Sequence, residues 1–274
     1  LKPATVAVQL RSFLMKLTVV GGGGVRAPLF VGSALRRAEK SGLTEICLYD
    51  TNSEKLEIFG GLSQALAERQ QVPVNITMAS TLDQALQGAA HVVTTVRPGE
   101  EEGRILDEKI ALDIGVIGQE TTGPGGFAMA LRSIPVILNV AEKLRQINPD
   151  AWLFNFTNPA GLVTQALSDA GYDRAVGICD SANASQDAIA EWLGVHHNDV
   201  RPQVFGLNHL SFAKFAYVNG EEKLQDLLTN DEFLSTSMMR LFGKDPMHRK
   251  LDKTLASYRV KSHHDLKDNV ERPY

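Results

Sequence analysis

Four consecutive glycines follow a short apolar stretch near the start of the chain, in the sequence VVGGGGVR over residues 19–26. A glycine turn between a strand and a helix lets the backbone approach the phosphates of a dinucleotide, and the N-terminus of the helix favours their negative charge. Gly22, Gly24 and Ala27 fit the spacing G-x-G-x-x-A. The pattern predicts a nucleotide cofactor site, with an ordinary tight turn as the alternative. The residues expected to bind the cofactor are Gly21, Gly22, Gly23 and Gly24.

A second apolar stretch, EICLYD over residues 45–50, ends in the acid Asp50. In dinucleotide-binding sheets an acid at the end of the second strand binds the ribose hydroxyls of NAD, whereas the 2′-phosphate of NADP is repelled there. Asp50 therefore predicts NAD as the cofactor. The alternative is a turn or helix-capping role before Thr51 and Asn52.

The stretch 97–126 is dense in glycine, acids and arginine and follows a predicted strand at 91–96. We interpret it as a long connection beyond the carboxyl ends of the strands, where parallel sheets place active sites. Arg97 and Arg104 suit an anionic substrate, since a guanidinium contacts an anion through two nitrogens. The alternative is ion pairing on the surface with Glu100 to Glu102.

The elements that would position these residues alternate between strand and helix. Beyond the first two strands, helices are expected at 28–40, 53–70, 82–86, 127–144, 160–170 and 187–193, and strands at 74–78, 91–96, 152–156, 175–179 and 204–207. The pattern predicts an α/β fold: a Rossmann-like doubly wound parallel sheet, followed by a shortened α+β C-terminal region. We expect an NAD-binding domain over 15–180 and a C-terminal region over 181–274, with 1–14 an extension or cloning remnant rather than a signal peptide.

Composition argues against several other classes of protein. The 274 residues are 43% hydrophobic and 22% charged with a net charge of -4, so no basic footprint indicates nucleic acid. No apolar run approaches the about 20 residues of a membrane span. The two cysteines, Cys47 and Cys179, form no disulfide framework, which favours a reducing cytoplasm.

Four motifs together resemble glycoside hydrolase family 4, the NAD- and metal-dependent 6-phosphoglycosidases. They are GQETTGPGG at 118–126, NFTNPAG at 155–161, GICD at 177–180 and GLNHLSF at 206–212. Most glycoside hydrolases use a pair of carboxylates to cleave the glycosidic bond, and this family is an exception. The resemblance implies oxidation of the sugar at C-3 by NAD, removal of the C-2 proton by a base, elimination of the aglycone, addition of water and reduction of the ketone.

The resemblance also implies a divalent metal, most readily manganese, which would polarise the sugar oxygens at C-2 and C-3 as a Lewis acid. Cys179 and His209 match the metal ligands of the family. Each follows a strand expected to end on the same side of the sheet, so the two side chains are expected to converge. Without the resemblance, a core thiol and a core histidine would be the favoured roles.

Four further residues match functional positions of the family. Arg104 and Asn158 match substrate-binding residues, and Glu120 matches the acid that raises the basicity of a catalytic tyrosine. Asp180 matches the general acid of 6-phospho-α-glucosidases, where the β-type often carries Asn; its alternative role is a helix cap. Because the glycine loop differs from the GGGS form of both types, the anomeric preference stays open.

The C-terminal part departs from the family pattern. A tyrosine segment resembling NPYLRYY is missing from the sequence, and neither Tyr258 nor Tyr274 lies in a matching motif. We expect the chain to lack much of the C-terminal half of the family, which would leave apolar surface for another chain to cover and favours a homo-oligomer. A hydroxy-acid dehydrogenase and a nucleotide-binding, non-hydrolytic relative of the family remain alternatives. The expected partner is a phosphorylated sugar, without nucleic acid or membrane.

Overall fold

Strands and helices alternate through the first part of the chain, as the pattern of apolar stretches predicts. The computed structural model describes residues 15–179 and 183–232, and contacts divide the chain into two units, Leu1–Cys179 and Asp180–Tyr274. The strands of the first unit are β1 Met15–Val20, β2 Leu43–Tyr49, β3 Asn75–Met78, β4 Ala89–Thr94, β5 Trp152–Asn155 and β6 Ala175–Gly177. They form one parallel sheet in the order β3-β2-β1-β4-β5-β6. This is the strand order of the Rossmann fold, which confirms the predicted fold class.

Helices cover both faces of this sheet. They are α1 Ala27–Leu35, α2 Ala38–Ser41, α3 Ser53–Gln70, α4 Leu82–Leu86, α5 Glu100–Asp113, α6 Gly123–Ile147 and α7 Ala160–Asp169. Successive side chains of a strand point to opposite faces, and β1 shows this directly. Val19 packs in one apolar cluster with α1, α2 and α3, whereas Val20 packs in another with α4, α6 and α7.

Helix α6 is a core helix of the first unit. It has 25 residues, and an 18-residue window within it has a mean hydropathy of 1.2, so it is long and apolar enough to cross a membrane by length and composition. However, its buried residues, among them Ile137 and Leu144, lie in the same apolar cluster as strands β4 and β5. We therefore assign its apolar face to the sheet core.

The second unit has a small α+β architecture. Its described elements are α8 Ala184–Leu193, β7 Val200–Leu207, β8 Leu210–Val218, β9 Glu221–Glu222 and α9 Leu224–Leu228, with a 3₁₀ turn at His197–Asp199. The three strands pair antiparallel in sequence order. Ile189, Val200 and Ala216 lie in an apolar cluster of this unit.

Four expectations about the elements were wrong. The stretch 97–126 is not a long connection, since it contains α5 and the start of α6. The helix expected at 28–40 is interrupted at Arg36 and Arg37, and β6 ends at Gly177 rather than at Cys179. The strand before His209 belongs to the separate antiparallel sheet, so Cys179 and His209 do not follow strands of one sheet.

Candidate functional site

The glycine turn between β1 and α1 is held tightly against the neighbouring strands. The amides of Gly21 and Gly22 both donate to the carbonyl of Tyr49 at the end of β2, at 2.9 Å each. Gly21 has φ of +102°, and a Cβ there would lie 2.4 Å from the carbonyl oxygen of Thr95. A Cβ on Gly22 would lie 2.8 Å from Leu48 Cβ. The turn therefore requires glycine because the chain passes within contact of both flanking strands.

Asp50 is joined to this turn directly. Its carboxylate accepts the amide of Gly23 at 2.9 Å and the amide of Asn52 at 3.0 Å. The bond from the Asn52 amide corresponds to the turn role that the sequence leaves open as the alternative for Asp50. The bond from the Gly23 amide ties the acid to the glycine turn. A carboxylate has further acceptor capacity beyond two such bonds. A glycine turn without side chains, which lets a phosphate approach the backbone, and a carboxylate acceptor beside it are features that fit a dinucleotide.

A buried polar network links the carboxyl ends of β4 and β5. The hydroxyl of Thr94 donates to Asn155 Oδ1 at 3.0 Å, and Asn155 Nδ2 donates to the carbonyl of Thr157 at 3.1 Å. The hydroxyl of Thr157 in turn accepts the amide of Val96 at 3.1 Å. All three side chains are buried. Sequence reasoning did not single out Asn155 or Thr157 as site residues, although both stand before Asn158 in the NFTNPAG motif.

Two of the predicted site residues, Glu120 and Asn158, meet beyond these strand ends. Asn158 Nδ2 donates to Glu120 Oε1 at 3.5 Å, and Arg97 Nη2 lies 3.2 Å from the same oxygen. The Glu120 side chain is only 17% exposed. Gly21 faces Thr95 and Val96, the two residues before Arg97, so the glycine turn and this polar cluster share one edge of the sheet. We call Arg97, Arg104, Glu120 and Asn158 the polar cluster.

Arg104 joins the polar cluster from helix α5. Its Nε donates to Glu108 at 2.8 Å, and its Nη1 lies 3.8 Å from Glu101. The hydrogen bond to Glu108 raises the pKa of Arg104, and the charges of Glu108, Glu120 and Glu101 add to this effect. Arg97 also pairs with Glu101 at 2.9 Å. The surface ion pairing left open as the alternative is thus present, while the Arg104 side chain keeps 39% of its surface exposed.

The loop that carries Glu120 is shaped by its neighbour Gln119. Gln119 Oε1 accepts the hydroxyls of Thr121 and Thr122 at 2.8 and 2.7 Å and their amides at 3.1 and 2.9 Å. These bonds close the chain just before α6 begins. Their effect is to fix the backbone on the C-terminal side of Glu120.

An ion pair that sequence reasoning missed joins α5 to α6. Arg132 Nη1 donates to Asp107 Oδ1 at 2.8 Å, and Arg132 Nη2 contacts Asp107 Oδ2. The Asp107 side chain is buried. Neither residue stands in a recognisable motif, and residues 25 positions apart give no local signal of their contact.

The expected metal ligands lie in different units. Cys179 is partly buried and ends the first unit, and His209 stands in the turn between β7 and β8 with φ of +60°. A thiolate and an imidazole are donors suited to divalent transition metals. Among residues 15–179 and 183–232, no three His, Cys, Asp or Glu side chains form a group that would hold a metal ion. Asp180, Tyr258 and Tyr274 lie outside the described residues.

Comparison with known proteins identifies a family match over most of the described chain. Residues 16–195 match the model of the family 4 glycosyl hydrolases. A probable 6-phospho-β-glucosidase of Bacillus subtilis is 38% identical over 209 residues, which cover 75% of this chain and 47% of that protein.

Two solved structures are similar to this chain in fold as well as in sequence. The 6-phospho-β-glucosidase of Thermotoga maritima with manganese, NAD⁺ and glucose 6-phosphate is 33% identical, with a TM-score of 0.73 over 78% of this chain and 52% of that one. A 6-phospho-α-glucosidase from gut microorganisms with NAD and Mn²⁺ is 29% identical, with a TM-score of 0.74 over 78% and 49%. The chain thus spans about half the length of the relatives that it matches.

Proposed function

Because this chain belongs to the family 4 glycosyl hydrolases, we propose that it acts on 6-phosphoglycosides and uses NAD and a divalent metal, with manganese favoured. The observation that carries the proposal is the placement of the polar cluster beside the glycine turn. Both occupy the carboxyl edge of the β1, β4 and β5 strands, where open α/β sheets bind their ligands. A nicotinamide and a sugar bound at this edge would therefore lie side by side.

The cofactor roles follow from the chemistry of the residues present. Gly21 to Gly24 would let the backbone approach the pyrophosphate of NAD, and Asp50 would bind its ribose. Cys179 and His209 are the proposed metal ligands, with oxygens of sugar and water completing the coordination of a hard ion. The bound groups would supply a hydride acceptor for C-3 and a Lewis acid for the oxygens at C-2 and C-3.

The substrate roles belong to the polar cluster and to Asp180. Arg104 and Asn158 hold the sugar, because a guanidinium and an amide suit phosphate and hydroxyl oxygens. The base that removes the C-2 proton is a tyrosine in the family. Glu120 would accept a hydrogen bond from this tyrosine and so raise the basicity of its hydroxyl. Asp180 protonates the leaving oxygen. Solved relatives of both anomeric types are similar to this chain, so both anomers are substrates to test.

The experiment is a titration of NAD and Mn²⁺ against chromogenic 6-phospho-α- and 6-phospho-β-glucosides. Release of the chromophore should need both cofactors, and solvent deuterium should enter C-2 of the released sugar phosphate. Activity that is equal without NAD, or product without C-2 exchange, would contradict oxidation and elimination. A chain that binds NAD and sugar phosphate without turnover would instead be a nucleotide-binding, non-hydrolytic member of the family.

The metal assignment has its own variants. Cys179→Ser and His209→Ala should each abolish the response of chromophore release to Mn²⁺. Cys47→Ser is the matched control, since Cys47 is buried in the first unit beside Ala79 and Ala85. Normal turnover by both ligand variants in the presence of a chelator would refute the assignment.

We also propose that the chain is a cytoplasmic homo-oligomer. Helix α5 exposes large apolar side chains to solvent, which marks an interaction surface. Those more than half exposed are Ile105, Leu106, Ile110 and Leu112. The free cysteines suit a reducing compartment.

A further inference from the structure

We propose that Arg132 is a positioning residue of the sugar-phosphate site: by clamping Asp107 it sets the orientation of helix α5 and thereby of Arg104. The inference rests on the proposed function, because it takes Arg104 as a ligand of the phosphorylated sugar. Arg132 itself lies on α6 and has no contact with the polar cluster in the described interactions.

The clamp connects three segments through one guanidinium. Arg132 contacts both carboxylate oxygens of Asp107 on α5, and its Nε donates to the carbonyl of Pro98 at 3.1 Å. The Asp107 side chain is 4% exposed. The hydrogen bond to Asp107 raises the pKa of Arg132. A two-pronged pair fixes direction as well as distance, which a lysine ammonium does not.

Two glycines make room for this guanidinium under the first turn of α5. A Cβ on Gly99 would lie 3.0 Å from Arg132 Nε, and one on Gly103 would lie 3.2 Å from Arg132 Nη2. Gly99 also has φ of +86°, a conformation that favours glycine. The start of α5 is therefore shaped around the arginine side chain.

Besides this pair, helix α5 has ion pairs from Glu100 to Lys55 and from Glu101 to Arg97, which lie at its exposed first turn, so it is docked mainly by polar contacts. Its buried residues are Asp107 and Ala111, whereas its large apolar side chains face solvent. A helix normally docks through an apolar face, so here the direction of docking depends on the ion pair. Arg104 lies three residues before Asp107, about one helical turn, on the same helix. A change in the tilt of α5 at Asp107 consequently moves the Arg104 guanidinium relative to Asn158 and Glu120.

The experiment measures binding of glucose 6-phosphate by calorimetry to the whole chain with NAD and Mn²⁺ present. Arg132→Lys should weaken binding at least about tenfold, equivalent to about 1.4 kcal/mol. Asp107→Asn, which keeps the side-chain shape, should do the same. The affinity for NAD should change less than about twofold in both, since no described hydrogen bond or ion pair joins Arg132 or Asp107 to the glycine turn. Lys143→Gln is the control, because it breaks another ion pair of α6, with Asp83, and leaves α5 untouched.

A double-mutant cycle separates positioning from general damage. If Arg132 acts through Arg104, Arg132→Lys should add little to the loss already caused by Arg104→Gln. The inference would be overturned if the losses in the double variant were additive. It would also be overturned if Arg132→Lys and Asp107→Asn left the affinity for glucose 6-phosphate unchanged, or lowered the affinity for NAD to the same extent. Failure of the unmodified chain to bind glucose 6-phosphate would instead overturn the proposed function, and the positioning role with it.

Discussion

Asp50 shows how one side chain at the edge of the sheet serves both the fold and the proposed cofactor. Its carboxylate holds the amides of Gly23 and Asn52, and a Cβ on Gly23 would lie 2.9 Å from the carboxyl carbon. The acid thus shapes the glycine turn as well as offering an acceptor for ribose. Substitution at Asp50 therefore tests two contributions, which different variants can separate.

We expect Asp50→Ala to weaken NAD binding about 10- to 100-fold, since hydrogen bonds to charged groups contribute about 1.5–3 kcal/mol. Asp50→Asn keeps an acceptor for the Gly23 amide, so it should retain the thermal stability that Asp50→Ala loses. Calorimetric titration with NAD and thermal unfolding measure the two effects. Asp113→Ala, at the exposed end of α5, is the control. Equal NAD affinity in Asp50→Ala and the unmodified chain would remove Asp50 from the cofactor site.

Candidate residues within motifs could be named from the sequence, as could the arginines of the 97–126 stretch, whereas the Arg132–Asp107 pair could not. Glu120 and Asn158 stand in GQETTGPGG and NFTNPAG, and the structure brings the two side chains within 3.5 Å. Arg132 and Asp107 have no such marker, because their pairing depends on how two helices cross. Contacts of that kind arise from tertiary packing and leave no local pattern in the chain.

Among the elements, the parallel sheet was predictable and helix α5 was not. The strands of the sheet are short apolar runs, and their central residues, such as Val92 and Leu153, are buried as such runs predict. In α5 the relation between polarity and burial is inverted: Asp107 is buried while Ile105 and Leu106 are exposed. Periodicity assumes that apolar residues face the core, so it fails for this helix.

The contact between Tyr172 and Glu142 places an ionisable carboxyl at one helix junction, so we expect the stability of that junction to depend on pH. The Tyr172 hydroxyl donates to Glu142 Oε2 at 2.9 Å and joins the end of α7 to α6. The hydrogen bond from Tyr172 is the largest cause that lowers the pKa of Glu142, and the hydrogen bond from Gln146 is the next largest. A carboxyl whose folded pKa is lowered stabilises the fold above its unfolded pKa of about 4.3, and the contribution is lost as pH falls further.

Tyr172→Phe should therefore lower the melting temperature at pH 7 and have a smaller effect at pH 3, where the protonated share of Glu142 is larger than at pH 7. Thermal unfolding followed by circular dichroism at both pH values measures the difference. Tyr217→Phe, on β8 in the second unit, serves as the comparison. A loss that is the same at pH 3 and pH 7 would show that the ionised carboxylate does not contribute.

At the scale of the whole molecule, the exposed apolar side of α5 is a candidate interaction surface. Ile110 is 52% exposed on this helix, and Leu62 on α3 is similarly exposed at 55%. The other large apolar side chains of α5 extend the surface around Ile110, which is the arrangement found at interfaces between chains. We attribute this surface to contact with a second copy.

Ile110→Glu should shift the chain toward the monomer in sedimentation velocity, because a charge in an apolar contact is desolvated without a partner. Leu62→Glu changes a residue of similar exposure on another helix and should leave the sedimentation coefficient unchanged. A monomeric unmodified chain, or an oligomer that tolerates Ile110→Glu, would contradict the assignment of this surface.

The polar docking of α5 also has a thermodynamic consequence. Undocking would expose the Asp107–Arg132 pair but little apolar surface, and it is apolar exposure that makes the heat capacity of unfolding large and positive. The local opening of α5 should therefore vary little in enthalpy with temperature, unlike global unfolding, and should respond to ionic strength instead. Amide hydrogen exchange of residues 100–113 at several temperatures and salt concentrations would measure both dependences. The helix that carries Arg104 would then remain docked on cooling, under conditions where contacts held by apolar burial weaken.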